Sequence, residues 1–160
     1  MVSSAHLVWK PAARPTFAGP ALLDPHVWVW LLEGDLSRLS SATVPLLQRC
    51  LGSDGGGLVV CDISWWEVAV KCAKGKLTLS LDVALWLRRA EQAPRLRLLP
   101  LDRSILVAST QLPGSLHGDP ADRMLLATAQ LESLPLITAD RHLVEYARTQ
   151  RTFPVSDARR

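Results

Sequence analysis

The amino-acid sequence predicts an α/β domain built on a mainly parallel sheet. Short apolar runs alternate along the chain with segments whose apolar residues recur at helical spacing, which is the pattern of βαβ units. The chain has 160 residues, of which 48% are hydrophobic and 21% charged. This is an ordinary balance for one domain with one core, and it argues against wholesale disorder.

The first twenty residues differ in composition from the rest. They hold three prolines and two basic residues but no acid, and they lack the apolar stretch of a secretory signal. We interpret residues 1–20 as a flexible extension, with an organelle-targeting peptide as the second interpretation. Residues 21–157 are then the folded domain.

The sequence of the first half of this domain predicts alternating strands and helices. Aspartate is a preferred N-cap and proline suits the first helical position, so Asp24-Pro25 begins a helix. We expect Trp66 and Trp86 in the core. The predicted elements are the strand Ala21–Leu23, a helix from Pro25 to Glu33, a helix from Thr43 to Leu51, the strand Leu58–Cys61 and a helix over residues 64–73.

The second half continues the alternation. Pro113-Gly114 interrupts the chain, and Asp119-Pro120 begins a long apolar helix by the same capping rule. The predicted elements are a helix over 81–93, a short strand within 95–101, a helix over 103–111, the helix from Pro120, a strand over 135–138, a short last helix and an edge strand near 153–155.

Charge and cysteine content restrict the class of protein. A formal charge of +3 and a pI near 9.0 permit a polyanionic partner without requiring one. The three cysteines form no C-x-x-C pair, which favours reduced thiols in a cytoplasmic protein over a disulfide framework or a zinc site. No apolar run approaches the ~18 residues of a membrane span, so we expect no membrane partner.

Four acids stand where strands pass into helices. Asp24, Glu67 and Asp140 each follow an apolar strand, and Asp122 lies in the first turn of a helix. Ligands of open parallel sheets bind beyond the carboxyl ends of the strands. If the carboxylates meet there, they repel each other, and a divalent cation relieves the repulsion. Oxygen ligands suit Mg²⁺ or Mn²⁺, which support phosphodiester hydrolysis.

Helix capping is the competing interpretation of the same acids. Asp24 and Asp140 are each placed to cap a helix, and Ser64-x-x-Glu67 has the form of a capping box. Glu67 and Asp122 come in addition to Ser64 and Asp119, which already serve as caps, and this favours a shared site. The alternatives that remain open are a non-catalytic interaction module and another metal-dependent phosphohydrolase. An aspartyl-phosphate phosphatase needs an acid where His26 stands.

The ordered set of motifs resembles the PIN-domain ribonucleases, specifically the VapC-type toxins of toxin–antitoxin pairs, over residues 21–157. The resemblance implies a three-layer α/β/α sandwich with a mainly parallel central sheet, Mg²⁺ or Mn²⁺ as cofactor, endonucleolytic cleavage of RNA, a cognate antitoxin and a homodimer. The matching segments are Leu22-Leu23-Asp24-Pro25-His26-Val27, Ile63-Ser64-Trp65-Trp66-Glu67-Val68-Ala69, His117-Gly118-Asp119-Pro120-Ala121-Asp122-Arg123 with Ala127-Thr128-Ala129, and Leu136-Ile137-Thr138-Ala139-Asp140.

The motifs also imply a role for each acid. Asp24, Glu67 and Asp122 match the first three metal-ligand acids of the family, and Asp140 matches a fourth, more distant one. Asp119 is a possible further ligand. The hydroxyls of Ser64 and Thr138 are expected to orient the acids without binding the metal themselves. The sequence departs from the family at two positions: Pro25 stands in place of Thr or Ser, and Asp62 in place of a small residue.

Two lysines follow Glu67 on one helical face. We expect Lys71 and Lys74 to contact RNA phosphates, and the competing interpretation is an i,i+4 pair between Glu67 and Lys71 on a solvated surface. His26 and His117 adjoin the motifs, but the sequence has no histidine-rich spacing that indicates zinc. We treat both as neighbours of the site and not as ligands.

Overall fold

The computed structural model describes residues 19–52, 56–116, 118–151 and 154–159. Outside the described residues lie residues 1–18 of the predicted extension, together with His117 and Phe153. The strands are β1 (Ala21–Leu23), β2 (Leu58–Cys61), β3 (Leu96–Leu99), β4 (Leu136–Thr138) and β5 (Val155–Asp157). The helices are α1 (Pro25–Glu33), α2 (Thr43–Leu51), α3 (Asp62–Ala73), α4 (Val83–Glu91), α5 (Arg103–Thr110), α6 (Pro120–Leu131) and α7 (Arg141–Gln150), with a 3₁₀ turn over Leu36–Arg38.

The five strands form one sheet in the order β3-β2-β1-β4-β5, and all four pairings are parallel. The chain builds outward from β1 to β2 and β3 on one side, then crosses to β4 and β5 on the other. The strand order therefore reverses between β1 and β4. Such a switch point is where open parallel sheets leave a crevice for ligands.

Side chains of β1 and β2 alternate between two cores. Leu23 and Val60 pack with α1, α2, α3 and α4 on one face of the sheet. Leu22 and Val59 pack with α5, α6 and α7 on the other. The three central strands β1, β2 and β4 are buried on both faces, as parallel strands covered by helices are, and the edge strands β3 and β5 are partly exposed. This arrangement confirms the predicted three-layer α/β/α sandwich.

Helix α3 differs from its prediction in its start and in the tryptophan that it exposes. It starts at Asp62 with Cys61 as N-cap and no side-chain cap hydrogen bond. Ser64 therefore lies inside the first turn, and the predicted capping box is wrong. Trp65 faces inward, where its ring lies 5.5 Å from that of Trp28. Trp66 faces outward with 57% exposure, so its predicted core position is wrong.

Other boundaries differ by a few residues. Asp82 caps α4 through the N–H groups of Ala84 and Leu85, so this helix is shorter than the predicted 81–93. The last strand lies at Val155–Asp157, beyond the predicted 153–155. Trp86 is buried, as predicted. No helix in the described part of the chain is long and apolar enough to cross a membrane.

Candidate active site

Asp24 is a buried acid at the end of β1. Only 1% of its surface is exposed. Its Oδ1 accepts the Val27 N–H at 2.8 Å and so caps α1. Its Oδ2 accepts the Thr138 hydroxyl and the Ala139 N–H, the latter at 2.7 Å. Three donors thus hold this carboxylate and tie the end of β1 to the end of β4.

Thr138 links two of the predicted acids. Its hydroxyl donates to Asp24 and accepts the Asp140 N–H at 2.9 Å, which uses its one donor and one of its two acceptor sites. Asp140 in turn caps α7 by accepting the N–H groups of His142 and Leu143 at 2.7 and 3.3 Å. The His142 Nδ1 lies 3.5 Å from the same carboxylate. Thr138 therefore fixes the position of Asp140 relative to Asp24.

Glu67 lies in the second turn of α3 with 13% of its side chain exposed. Its Oε1 is 3.2 Å from the Lys71 ammonium, which is the i,i+4 pair of the competing interpretation. Burial raises the pKa of Glu67; the Lys71 charge opposes this, and the Asp119 charge adds to it. A nearby carboxylate is thus part of the environment of this acid.

Asp122 is the most strongly perturbed acid of the site. It lies in the first turn of α6, whose N-cap is Asp119 through the Ala121 N–H at 2.9 Å. Burial raises the pKa of Asp122 to about 7, and the charges of Asp140, Asp119 and Glu67 contribute in that order. Loops and helices far apart in sequence therefore bring four carboxylates into one electrostatic neighbourhood.

The five acids meet at one edge of the sheet but do not converge on a point. Within residues 19–52, 56–116, 118–151 and 154–159, no three His, Cys, Asp or Glu side chains are arranged to hold a metal ion. Asp24 is bound to three protein donors and Glu67 to Lys71. Metal binding by Asp24, Glu67, Asp122, Asp140 and Asp119 accordingly stays a prediction.

The remaining predicted residues have varied surroundings. The buried Ser64 hydroxyl has no hydrogen-bond partner among the described residues, so its supporting role stays a prediction. Asp62 is exposed and accepts the Leu101 N–H at 3.3 Å. Pro25 occupies the first turn of α1, where no N–H is needed. His26 is exposed beside the site, and its ring lies 5.9 Å from that of Trp30.

Sequence reasoning missed two features beside the acids. Arg159 forms an ion pair with Asp157, and the charge of Asp140 also acts on it. It lies beyond the matched motifs, so no pattern pointed to it. The second feature is a cavity of about 610 Å³ next to Glu67, whose lining includes Trp66, Lys71, Lys74, Lys76 and Asp119. The groove is formed by α3 together with the start of α6, which are far apart in sequence, so no local pattern predicted it.

Comparison with known proteins identifies the class to which this fold and site belong. Residues 21–149 match the PIN domain, and the chain belongs to the PIN-domain family. Among curated proteins it is similar to Ribonuclease VapC22 of Mycobacterium tuberculosis, with 34% identity over 122 residues, covering 76% of this chain and 88% of the relative.

Solved structures with the same fold include a member of the VapBC family of toxin–antitoxin systems from Mycobacterium tuberculosis. VapBC2 of Rickettsia felis, bound to a promoter DNA fragment, aligns with a TM-score of 0.61 at 12% identity over 87% of this chain and 98% of its own. FitAcB of Neisseria gonorrhoeae aligns with a TM-score of 0.57 at 21% identity over 86% of this chain and 96% of its own. At such identities the likeness is one of fold.

Proposed function

We propose that this protein is a metal-dependent endoribonuclease toxin of a toxin–antitoxin pair. The carrying observation is Asp122, whose pKa is raised to about 7 by burial and by three neighbouring carboxylates. Such a repulsive cluster does not stabilise the fold, since a raised carboxylate pKa costs stability at neutral pH and above. Membership of the PIN-domain family and the similarity to Ribonuclease VapC22 support RNA as the substrate.

The donor set fits Mg²⁺ or Mn²⁺. All five acids offer carboxylate oxygens, which hard divalent cations prefer. Asp24, Glu67, Asp122 and Asp140 would hold the ion, with Asp119 as a further candidate. When bound, the cation polarises a phosphate oxygen and lowers the pKa of a water molecule.

The side chains of the site prepare it for that chemistry. Three hydrogen bonds hold Asp24 in one orientation, which reduces the ordering cost when a ligand arrives. Thr138 holds Asp140 in register with it. The Lys71 ammonium pairs with Glu67 and both line the groove, so this cation is placed to meet an incoming phosphate there.

Helix capping accounts for only part of the acid cluster. Asp24, Asp119 and Asp140 do cap helices. Glu67 and Asp122 cap none, since the N-caps of their helices are Cys61 and Asp119. A non-catalytic module whose acids only cap helices leaves these two half-buried carboxylates unexplained.

We propose a cognate antitoxin as the protein partner, because the structures that share the fold include a member of the VapBC family of toxin–antitoxin systems. A homodimer is the proposed state of the toxin itself.

The proposed activity is tested by incubating the purified protein with RNA in Mg²⁺, Mn²⁺ or EDTA. We expect internal cleavage with either metal and none in EDTA. The same titration should raise the melting temperature, because a ligand that binds only the folded state stabilises it by mass action. Cleavage in EDTA, or no cleavage of any RNA under any condition, contradicts the proposal. A Val107→Ala protein, altered at an exposed position of α5 that does not line the groove, should behave like wild type.

Lys74 provides a separate test of the predicted phosphate contacts. Lys74→Gln should weaken binding of a short oligouridylate and reduce the slope of log Kd against log salt by about 0.7, the contribution of one phosphate contact on a single strand. Arg88→Gln is the matched control, because Arg88 is an exposed cation at the end of α4 outside the groove. Equal slopes for both variants would assign Lys74 to the solvated surface.

A further inference from the structure

Trp66 exposes an aromatic ring next to the acid cluster. It directly precedes Glu67 on α3, and 57% of its surface is exposed. Trp65, its other neighbour, packs against Trp28 in the core. A single exposed apolar residue is normal on a protein surface, so exposure alone assigns no role to Trp66.

The groove beside Trp66 supplies the second observation. Its cavity of about 610 Å³ lies between one face of α3 and the start of α6. Three lysines that line this cavity come after Trp66 in the sequence: Lys71, Lys74 and Lys76. Trp66 and Lys74 are eight residues apart, or ~12 Å along the helix axis. Acids of the proposed catalytic site, Glu67 and Asp119, line the same cavity.

We propose that Trp66 is a stacking platform for one unpaired base of the RNA, next to the phosphate that is cleaved. This inference rests on the proposed ribonuclease function and adds a substrate-binding residue to it. Grooves that bind single-stranded nucleic acid combine cations along the backbone path with aromatic rings for the bases. Trp66 and the groove lysines form that combination within one cavity.

The aromatic ring favours an RNA strand over an acidic peptide in this groove. Asp62, Glu67 and Asp119 line the cavity beside the lysines, so peptide carboxylates and RNA phosphates meet the same charges. RNA adds a base that can stack on the exposed ring of Trp66 while its phosphates meet the lysines. A base has no charge, and each of the four bases can stack on an aromatic ring.

The test compares oligouridylate with an abasic ribose-phosphate strand of equal length, in EDTA so that no cleavage occurs. Fluorescence anisotropy should show that wild type binds the strand with bases about tenfold more tightly, as expected for one stacked base. Trp66→Ala should bind both strands equally, and Trp66→Phe should keep the preference to within about threefold. The salt slope of Trp66→Ala should equal that of wild type, because no phosphate contact is lost.

Val107→Ala is the matched control, since Val107 is also 57% exposed but lies on α5. It should keep the full preference for bases. If Trp66→Ala retains the preference, or if wild type lacks it, the proposal is overturned and a protein partner becomes the better occupant of the groove. A wild type that cleaves RNA with Mg²⁺ but ignores bases refutes only the role of Trp66. A wild type that neither cleaves nor binds RNA refutes the ribonuclease function.

Discussion

Asp122→Asn is expected to abolish RNA cleavage and at the same time to make the metal-free protein more stable at pH 8. Asparagine lacks the negative charge that helps to bind a divalent cation, so the rate of cleavage should fall at least about a hundredfold. It also removes the charge that burial and the neighbours Asp140, Asp119 and Glu67 disfavour. Loss of function with a gain of stability is the signature of a strained site.

The direction of the pH effect follows from the raised pKa. Asp122 titrates at an ordinary value of 3.8 when unfolded and at about 7 when folded. The folded state therefore holds this proton more tightly, and the resulting stability is complete below pH 4 and lost as the pH rises to 7. Glu67 shifts in the same direction. The hydrogen bond from Arg159 lowers the pKa of Asp157, so this group changes the stability only at lower pH.

Urea unfolding in EDTA at pH 5 and pH 8 measures this effect. Wild type should lose stability between the two values, and Asp122→Asn should lose less, with a gain on the order of 2 kcal/mol at pH 8. Asp82→Asn makes the same chemical change at the exposed N-cap of α4 and should leave activity and pH dependence unchanged. An Asp122→Asn protein that cleaves like wild type would contradict the metal site.

The structure also shows why Asp24→Asn is a poorer test. Asparagine replaces aspartate well at an exposed N-cap, and the sequence does not show that Asp24 makes any hydrogen bond besides its cap. In the fold, its second oxygen accepts both the Thr138 hydroxyl and the Ala139 N–H. An amide group there would set its own N–H against the Ala139 N–H. Stability and activity would then fall together and could not be separated.

The sequence predicted the acids because strand ends are local features. A run such as Leu22-Leu23 before Asp24 places the acid beyond a strand, and parallel strands share that edge. The contacts of Thr138 with Asp24 join residues 114 positions apart, and no local pattern contains them. The exposure of Trp66 is not a local feature either: its neighbour Trp65 takes the core position beside Trp28, and adjacent side chains on a helix point ~100° apart.

Thr138→Val is expected to reduce cleavage ten- to a hundredfold, the usual cost of losing a group that orients metal ligands. Valine has the shape of threonine but no hydroxyl, so the buried Asp24 carboxylate loses one donor and the Asp140 N–H loses its acceptor. Leaving such groups unpaired should also lower the free energy of unfolding by about 2 kcal/mol.

Thr138→Ser separates positioning from packing. It restores the hydroxyl but removes a methyl group from a fully buried side chain, which costs about 1 kcal/mol of stability. Both proteins are therefore destabilised, but only the serine variant should keep its activity and its affinity for Mg²⁺, measured well below the melting temperature. Activity that followed stability across the two variants would make Thr138 a packing residue. Activity that follows the hydroxyl makes it the group that holds Asp24 and Asp140 in register for a shared cation.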